Sequence, residues 1–68
     1  MNDKQTIDYA DRIAKARATK QMITEHGENW QEYPIVVGVY NELVRQLKNR
    51  ILARIALKNM IGENNGND

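Results

Sequence analysis

Two long stretches of the chain repeat their apolar residues with the period of an α-helix. Residues 3–25 contain neither proline nor glycine, and alanine, a strong helix former, occurs there at positions 10, 14, 16 and 18. Asn2 is placed to cap the start of this stretch, with Gln5 three residues on, and Gly27 is placed just beyond its end, with His26 in the last turn. The pattern therefore predicts a first helix over about residues 3–25.

The second stretch begins at Pro34, which fits the first position of a helix because its missing N–H is not needed there. Apolar residues then recur at steps of three and four up to Ile55, as expected for a helix that buries one face. This stripe consists of Val36, Tyr40, Leu43, Val44, Leu47, Ile51 and Ile55. The pattern predicts a second helix over about residues 34–61, ending at Gly62. The β-branched run from Ile35 to Tyr40 leaves a strand as the alternative, although Gly38 weakens either element.

Residues 26–33 follow no period and predict a connection between the two helices. Residues 62–68 are polar and contain two glycines, which predicts a disordered tail. The fold class is therefore expected to be all-α, with one domain at residues 1–61 that forms a two-helix antiparallel hairpin. The architecture resembles that of small helical-hairpin regulators of bacteria, plasmids and phages, and such a likeness of fold does not imply a function.

The first helix has two apolar seams on nearly opposite sides, but a hairpin covers only one face of each helix. We call Ile7, Ala10, Ala14 and Ala18 the inner seam, and Tyr9, Ile13, Ala16 and Ile23 the outer seam. Val37, Val39, Leu52 and Leu57 also flank the stripe of the second helix. Uncovered apolar surface on this scale predicts a partner, either a second copy in a four-helix-bundle homodimer or another protein. The predicted oligomer core is Ile13, Ala14, Tyr40, Leu43, Val44, Leu47, Ile51 and Ile55.

The amino-acid composition excludes several common kinds of catalytic site. The chain has no cysteine, no serine and one histidine, so it has no Ser-His-Asp triad, no Cys-His pair and no thiolate metal site. Asp8 and Asp11 lack further ligands and are expected to pair with Arg12 and Lys15 one turn later. His26 lies where a cation stabilises the end of a helix. The sequence therefore predicts no enzyme, no metal site and no cofactor.

Aromatic residues and a row of bases are the candidate binding residues. Trp30 and Tyr33 in the connection are expected to fold over the end of the bundle, and the alternative is a binding site for a partner. Arg50, Arg54 and Lys58, spaced by four residues, form what we call the basic ridge. Three interpretations stay open for the ridge: a solvated flank or ion pairs between subunits, a contact with an acidic protein, and a contact with nucleic-acid phosphates.

The net charge of +1 favours neither nucleic acid nor a membrane as partner. No apolar run is long enough for a membrane span or a signal peptide, so we expect a cytoplasmic protein. The function that these features favour is a small non-enzymatic interaction module, an adaptor or inhibitor of a larger protein. A dimeric nucleic-acid-binding bundle that uses the basic ridge, and a structural subunit of a phage or plasmid assembly, are the alternatives.

Overall fold

Two α-helices of unequal length pack side by side as a hairpin. Helix α1 covers Asp3–His26, a single 3-10 turn covers Trp30–Glu32, and helix α2 covers Pro34–Gly66. The computed structural model describes residues 3–66, and it describes side chains for residues 3–60. Within that range no strand is present, so the helical interpretation of the run from Ile35 to Tyr40 is confirmed. The all-α hairpin predicted from the sequence is thus the observed fold.

The junction between the helices follows from two residues with special backbone properties. Gly27 adopts a φ of 90°, a left-handed conformation that glycine reaches without a steric cost, and its N–H donates to the carbonyl oxygen of Ile23 at 2.9 Å. Pro34 then takes the first position of α2, and the N–H of Val37 donates to the carbonyl oxygen of Tyr33 at 3.0 Å. Helix α2 begins at the predicted residue, and α1 ends one residue later than predicted, at His26.

The far end of α2 differs from the prediction. The helix does not stop at Gly62 but continues to Gly66, so residues 62–66 do not belong to a disordered tail. A glycine costs a helix only about 1 kcal/mol relative to alanine, and no proline follows to end the helix. Residues 67 and 68, and the predicted cap Asn2, lie outside the described residues.

The core of the hairpin is formed by the alanines of the inner seam, whereas Ile7 at the start of that seam is 43% exposed. Ala10, Ala14 and Ala18 are completely buried, and so is Met22, which continues the same spacing of four residues. Alanine side chains let the α2 backbone approach closely, but they are too small to enclose the large residues opposite them. All seven residues of the α2 stripe are accordingly only half-buried. Of the predicted oligomer core, Ala14 is buried within the hairpin itself, whereas Ile13 and the six stripe residues in that set remain half-buried.

Candidate interaction surfaces

Trp30 closes the end of the hairpin where the helices join. Its side chain is 5% exposed, and its indole lies against the ring of Tyr40 with the ring centroids 4.9 Å apart. The backbone holds it there, because the N–H of Trp30 donates to Gly27 and the N–H of Tyr33 donates to Trp30. Trp30 is therefore a core residue, as expected for a side chain that folds over the end of the bundle, and it offers almost no free surface to a partner.

Tyr33 remains on the outside of the same end. It is 56% exposed, and Ile35, at the start of α2, is 83% exposed. Together with Pro34, Val36 and His26 they line a shallow open depression. The sequence-based assignment of Tyr33 to a binding surface is compatible with this position, and Ile35 is an exposed apolar neighbour that the sequence pattern did not single out.

The outer seam of α1 is left open by the hairpin. Tyr9 is 58% exposed and Ile23 is 42% exposed, Ala16 between them is exposed, and Ile13 is half-buried. A shallow groove on this side is lined by Tyr9, Arg12, Ile13 and Ala16. The residues around the seam are mostly basic, because positions 9–23 contain four bases and one acid, Asp11, which pairs with Lys15. These bases are Arg12, Lys15, Arg17 and Lys20.

The basic ridge on α2 is free of acidic neighbours. Arg50, Arg54 and Lys58 are all exposed, and within the part of the chain whose side chains are described no carboxylate lies within ion-pair distance of them. The earlier bases of α2 differ, because Arg45 Nη2 lies 2.6 Å from Glu42 Oε1 and Lys48 Nζ lies 3.8 Å from Asp11 Oδ1. The ridge is thus the part of α2 that presents unneutralised positive charge.

A small polar cluster closes one lateral side of the hairpin. Asp11 Oδ2 lies 3.0 Å from Lys15 Nζ within α1, and the other oxygen of Asp11 reaches Lys48 on α2. The hydrogen bond from Lys15 lowers the pKa of Asp11, and the same bond raises the pKa of Lys15. The predicted Asp11–Lys15 pair is confirmed. The predicted Asp8–Arg12 pair is absent from the ion pairs among the described side chains.

The remaining polar residues that the structure describes do not form a metal-binding cluster. His26 Nε2 lies 3.8 Å from Glu25 Oε2 at the end of α1. Among the described residues there is no group of three or more His, Cys, Asp or Glu side chains that could hold a metal ion. Neither helix, over its described length, is both long and apolar enough to cross a membrane.

Two structural features are missing from the sequence-based prediction. Met22 belongs to neither predicted seam, and its spacing of four residues from Ala18 is the signal that would have placed it in the core. The contact between Asp11 and Lys48 depends on the relative register of the helices, which no spacing within one helix reveals.

Comparison of the chain with known protein families, with curated proteins and with solved structures finds no match.

Proposed function

We propose that this chain is a small non-enzymatic interaction module of the cytoplasm, a regulator or inhibitor that binds a larger protein through the outer seam of α1. The observation that carries the proposal is the exposure of the large apolar side chains at the two ends of this seam. Tyr9 and Ile23 keep 58% and 42% of their surface exposed. Tyr9 also lines a groove beside Ile55 and Lys58 of α2, but more than half of its surface stays free. Exposed apolar rows of this kind mark interaction sites.

The charges around the outer seam indicate what kind of partner it fits. Arg12 and Lys20 lie beside the seam on the α1 surface, and no acid occurs between them in the chain. A partner helix with an apolar stripe and flanking Asp or Glu residues would complement both features. The complementary charge would mainly speed association, and the buried apolar contacts would supply most of the affinity.

Nucleic-acid binding through the basic ridge is the second candidate. It is favoured by the exposure of Arg50, Arg54 and Lys58 and by the lack of acidic partners for them among the described side chains. Bases spaced by four residues lie along one line of a helix and can follow a row of phosphates. No aromatic residue lies between these bases to stack on a nucleobase, which makes this the weaker candidate.

Selection of helical peptides from a displayed library on the immobilised chain tests the proposed function. We expect enriched peptides to carry an apolar heptad pattern with Asp and Glu at the flanking positions. Replacing Tyr9 and Ile23 together by Gln should weaken the selected peptides at least tenfold, while circular dichroism stays unchanged because both residues are exposed.

A matched control is available at the other end of the hairpin. Tyr33 and Ile35 are the same two residue types and are also exposed, so their joint replacement by Gln should leave peptide binding unchanged. Loss of binding in this control and not in the Tyr9/Ile23 variant would move the site to the end of the hairpin. A library that yields no binder would contradict the proposed function.

A further inference from the structure

The hairpin exposes more surface than a compact protein of its mass. Its accessible surface is 5615 Å². The surface expected for a folded monomer of 7.9 kDa is about 4,400 Å². The elongated shape of the hairpin, 53 × 20 × 15 Å, accounts for this exposure, and each partner in a standard interface buries roughly 800 Å². The chain therefore has enough uncovered area for an interface besides its own helix contact.

One face of α2 carries a regular repeat that the hairpin leaves mostly open, and it overlaps the half-buried stripe at Val36 and Leu43. Residues on this face alternate at steps of three and four, which is the repeat of a coiled-coil contact. Two of its eight residues, Val36 and Leu43, are half-buried, and the other six are exposed. We call this set the α2 outer face, and it consists of Val36, Val39, Leu43, Gln46, Arg50, Ala53, Leu57 and Met60.

The α2 outer face shows the same order of apolar and polar residues whichever end it is followed from. Apolar residues occupy both ends, and the two polar residues, Gln46 and Arg50, lie at the middle on either side of residue 48. An antiparallel second copy centred on residue 48 would therefore place apolar against apolar and polar against polar. The facing pairs are Val36 with Met60, Val39 with Leu57, Leu43 with Ala53, and Gln46 with Arg50. A two-fold interface needs this self-complementarity, because the same patch serves on both sides.

Charge selects the antiparallel orientation. In that register the guanidinium of Arg50 lies opposite the amide of Gln46, whose carbonyl oxygen accepts hydrogen bonds, and Glu42 lies one turn away. Within the hairpin Gln46 already donates to Glu42 Oε1 at 3.4 Å, so both acceptors lie close together. A parallel pairing would instead place Arg50 against Arg50, which is unfavourable.

Charge also disfavours self-association through the outer seam of α1, unlike self-association through the α2 outer face. Tyr9 and Ile23 are equidistant from Ala16, so an antiparallel self-pairing of that seam would be centred on Ala16. The same register would place Arg12 of each copy against Lys20 of the other. This repulsion favours α2 for self-association and leaves α1 for an acidic partner.

An open groove lies beside the first half of the α2 outer face. It is lined by Gln21, Ile35, Gly38, Val39, Glu42, Leu43 and Gln46. The antiparallel register brings Leu57 of a second copy to Val39 at this groove. Leu57 and Met60 are 59% and 61% exposed in the single hairpin, and Val39 is 48% exposed. The register thus places the exposed apolar residues of the α2 outer face, Val39, Leu57 and Met60, against apolar residues of the second copy.

We infer that two copies of this chain associate through the α2 outer face, antiparallel and centred on residue 48, to form a four-helix bundle. This assembly uses a different face from the proposed partner site on α1. If the dimer through α2 is disproved, the proposed partner site on α1 is therefore unaffected, and the reverse also holds.

Sedimentation velocity over a range of concentrations tests the assembly. The wild type is expected to sediment as a dimer of the 7.9 kDa chain. Leu57→Glu should raise the dimer dissociation constant at least about 100-fold, because each dimer would bury two unpaired carboxylates. Ile23→Glu is the matched control on the outer seam of α1 and should leave the dimer intact. A monomeric wild type, or a dimer that only Ile23→Glu dissociates, would overturn the inference.

Cysteine cross-linking tests the orientation with near-native side chains, and the chain has no cysteine of its own. A mixture of Val39→Cys and Leu57→Cys chains should form a mixed disulfide dimer on oxidation, because these positions face each other. Val39→Cys alone should not cross-link, since in the antiparallel register its two copies lie about 27 Å apart along the helices. The reverse result would indicate a parallel dimer and overturn the proposed interface.

Discussion

The indole of Trp30 and the phenol ring of Tyr40 lie with their centroids 4.9 Å apart and their planes tilted by 33°. Trp30 belongs to the short 3-10 turn and Tyr40 to the second turn of α2, so the contact fixes the connection against the helix that follows it. Tilted aromatic pairs at this distance add about 0.5–1.5 kcal/mol beyond the area they bury. The pair closes the joined end of a hairpin whose other large core side chain is Met22.

Replacing Trp30 by Ala should destabilise the hairpin by about 3–5 kcal/mol, because it removes a buried indole and leaves a cavity against Tyr40. Urea unfolding followed by circular dichroism measures the change. Tyr33→Ala is the control in the same connection and should shift stability by no more than about 0.5 kcal/mol, because Tyr33 is exposed. Equal unfolding midpoints for Trp30→Ala and the wild type would show that the indole contributes no packing energy.

Most of the fold could be predicted because it depends on local rules. A glycine with a positive φ ends α1, a proline begins α2, and alanines spaced by four mark the face along which the helices meet. Each of these signals involves residues a few positions apart, which is the range over which a sequence pattern is informative.

The features of the fold that the sequence did not predict depend mostly on how the two helices are placed against each other. The antiparallel register decides that Lys48 reaches Asp11, and neither helix alone contains that information. The same holds for Trp30, where both burial and exposure fitted the sequence, and its contact with Tyr40 decides between them. The end of α2 was misplaced for a different reason, since a single glycine only weakens a helix and does not stop it.

Acid should remove the stabilisation that Asp11 provides. The hydrogen bond from Lys15 holds the pKa of Asp11 below its ordinary value of 3.8, so the folded state favours the ionised carboxylate. A lowered folded-state pKa stabilises the protein above the unfolded-state value, and the contribution is lost as the pH falls through the folded-state value. Asp11→Asn should therefore be less stable than the wild type at pH 7 and equally stable at a pH well below 3.8.

Urea melts of both proteins at the two pH values measure this difference. Asp8→Asn is the control, because Asp8 forms no ion pair with the other described side chains, and it should match the wild type at pH 7. A stability difference for Asp11→Asn that persists unchanged into strong acid would show that the ion pairs are not its source.

The two glycines near the junction should respond to alanine in opposite ways. A Cβ at Gly38 meets nothing within 4 Å, and the residue lies inside α2, so Gly38→Ala should stabilise the hairpin by about 0.5–1 kcal/mol. Gly27→Ala should destabilise it by about 1 kcal/mol or more, because φ is +90° there. Thermal melts give both changes. If Gly38→Ala proved destabilising, another chain would have to approach the α2 backbone at that point.

The basic ridge separates the proposed function from its nucleic-acid alternative. Joint replacement of Arg50, Arg54 and Lys58 by Gln should preserve the helix, because Gln has a helix propensity close to that of Lys and Arg. If the ridge binds duplex phosphates, the wild type should bind DNA, and the slope of log affinity against log salt should flatten by up to about 2.7 in the variant, roughly 0.9 for each phosphate that is no longer neutralised. Fluorescence anisotropy with labelled duplex and single-stranded oligonucleotides measures both.

We expect the wild type to show no binding to either oligonucleotide at physiological salt, because acids elsewhere in the chain leave a net charge of only +1. Replacing Arg12, Arg17 and Lys20 by Gln removes the same charge from α1 and is the control for the ridge variant. Weak binding that falls equally in both variants reflects overall charge alone. Tight binding that only the ridge variant abolishes would make the ridge a phosphate-binding surface, and the nucleic-acid function would then replace the one proposed.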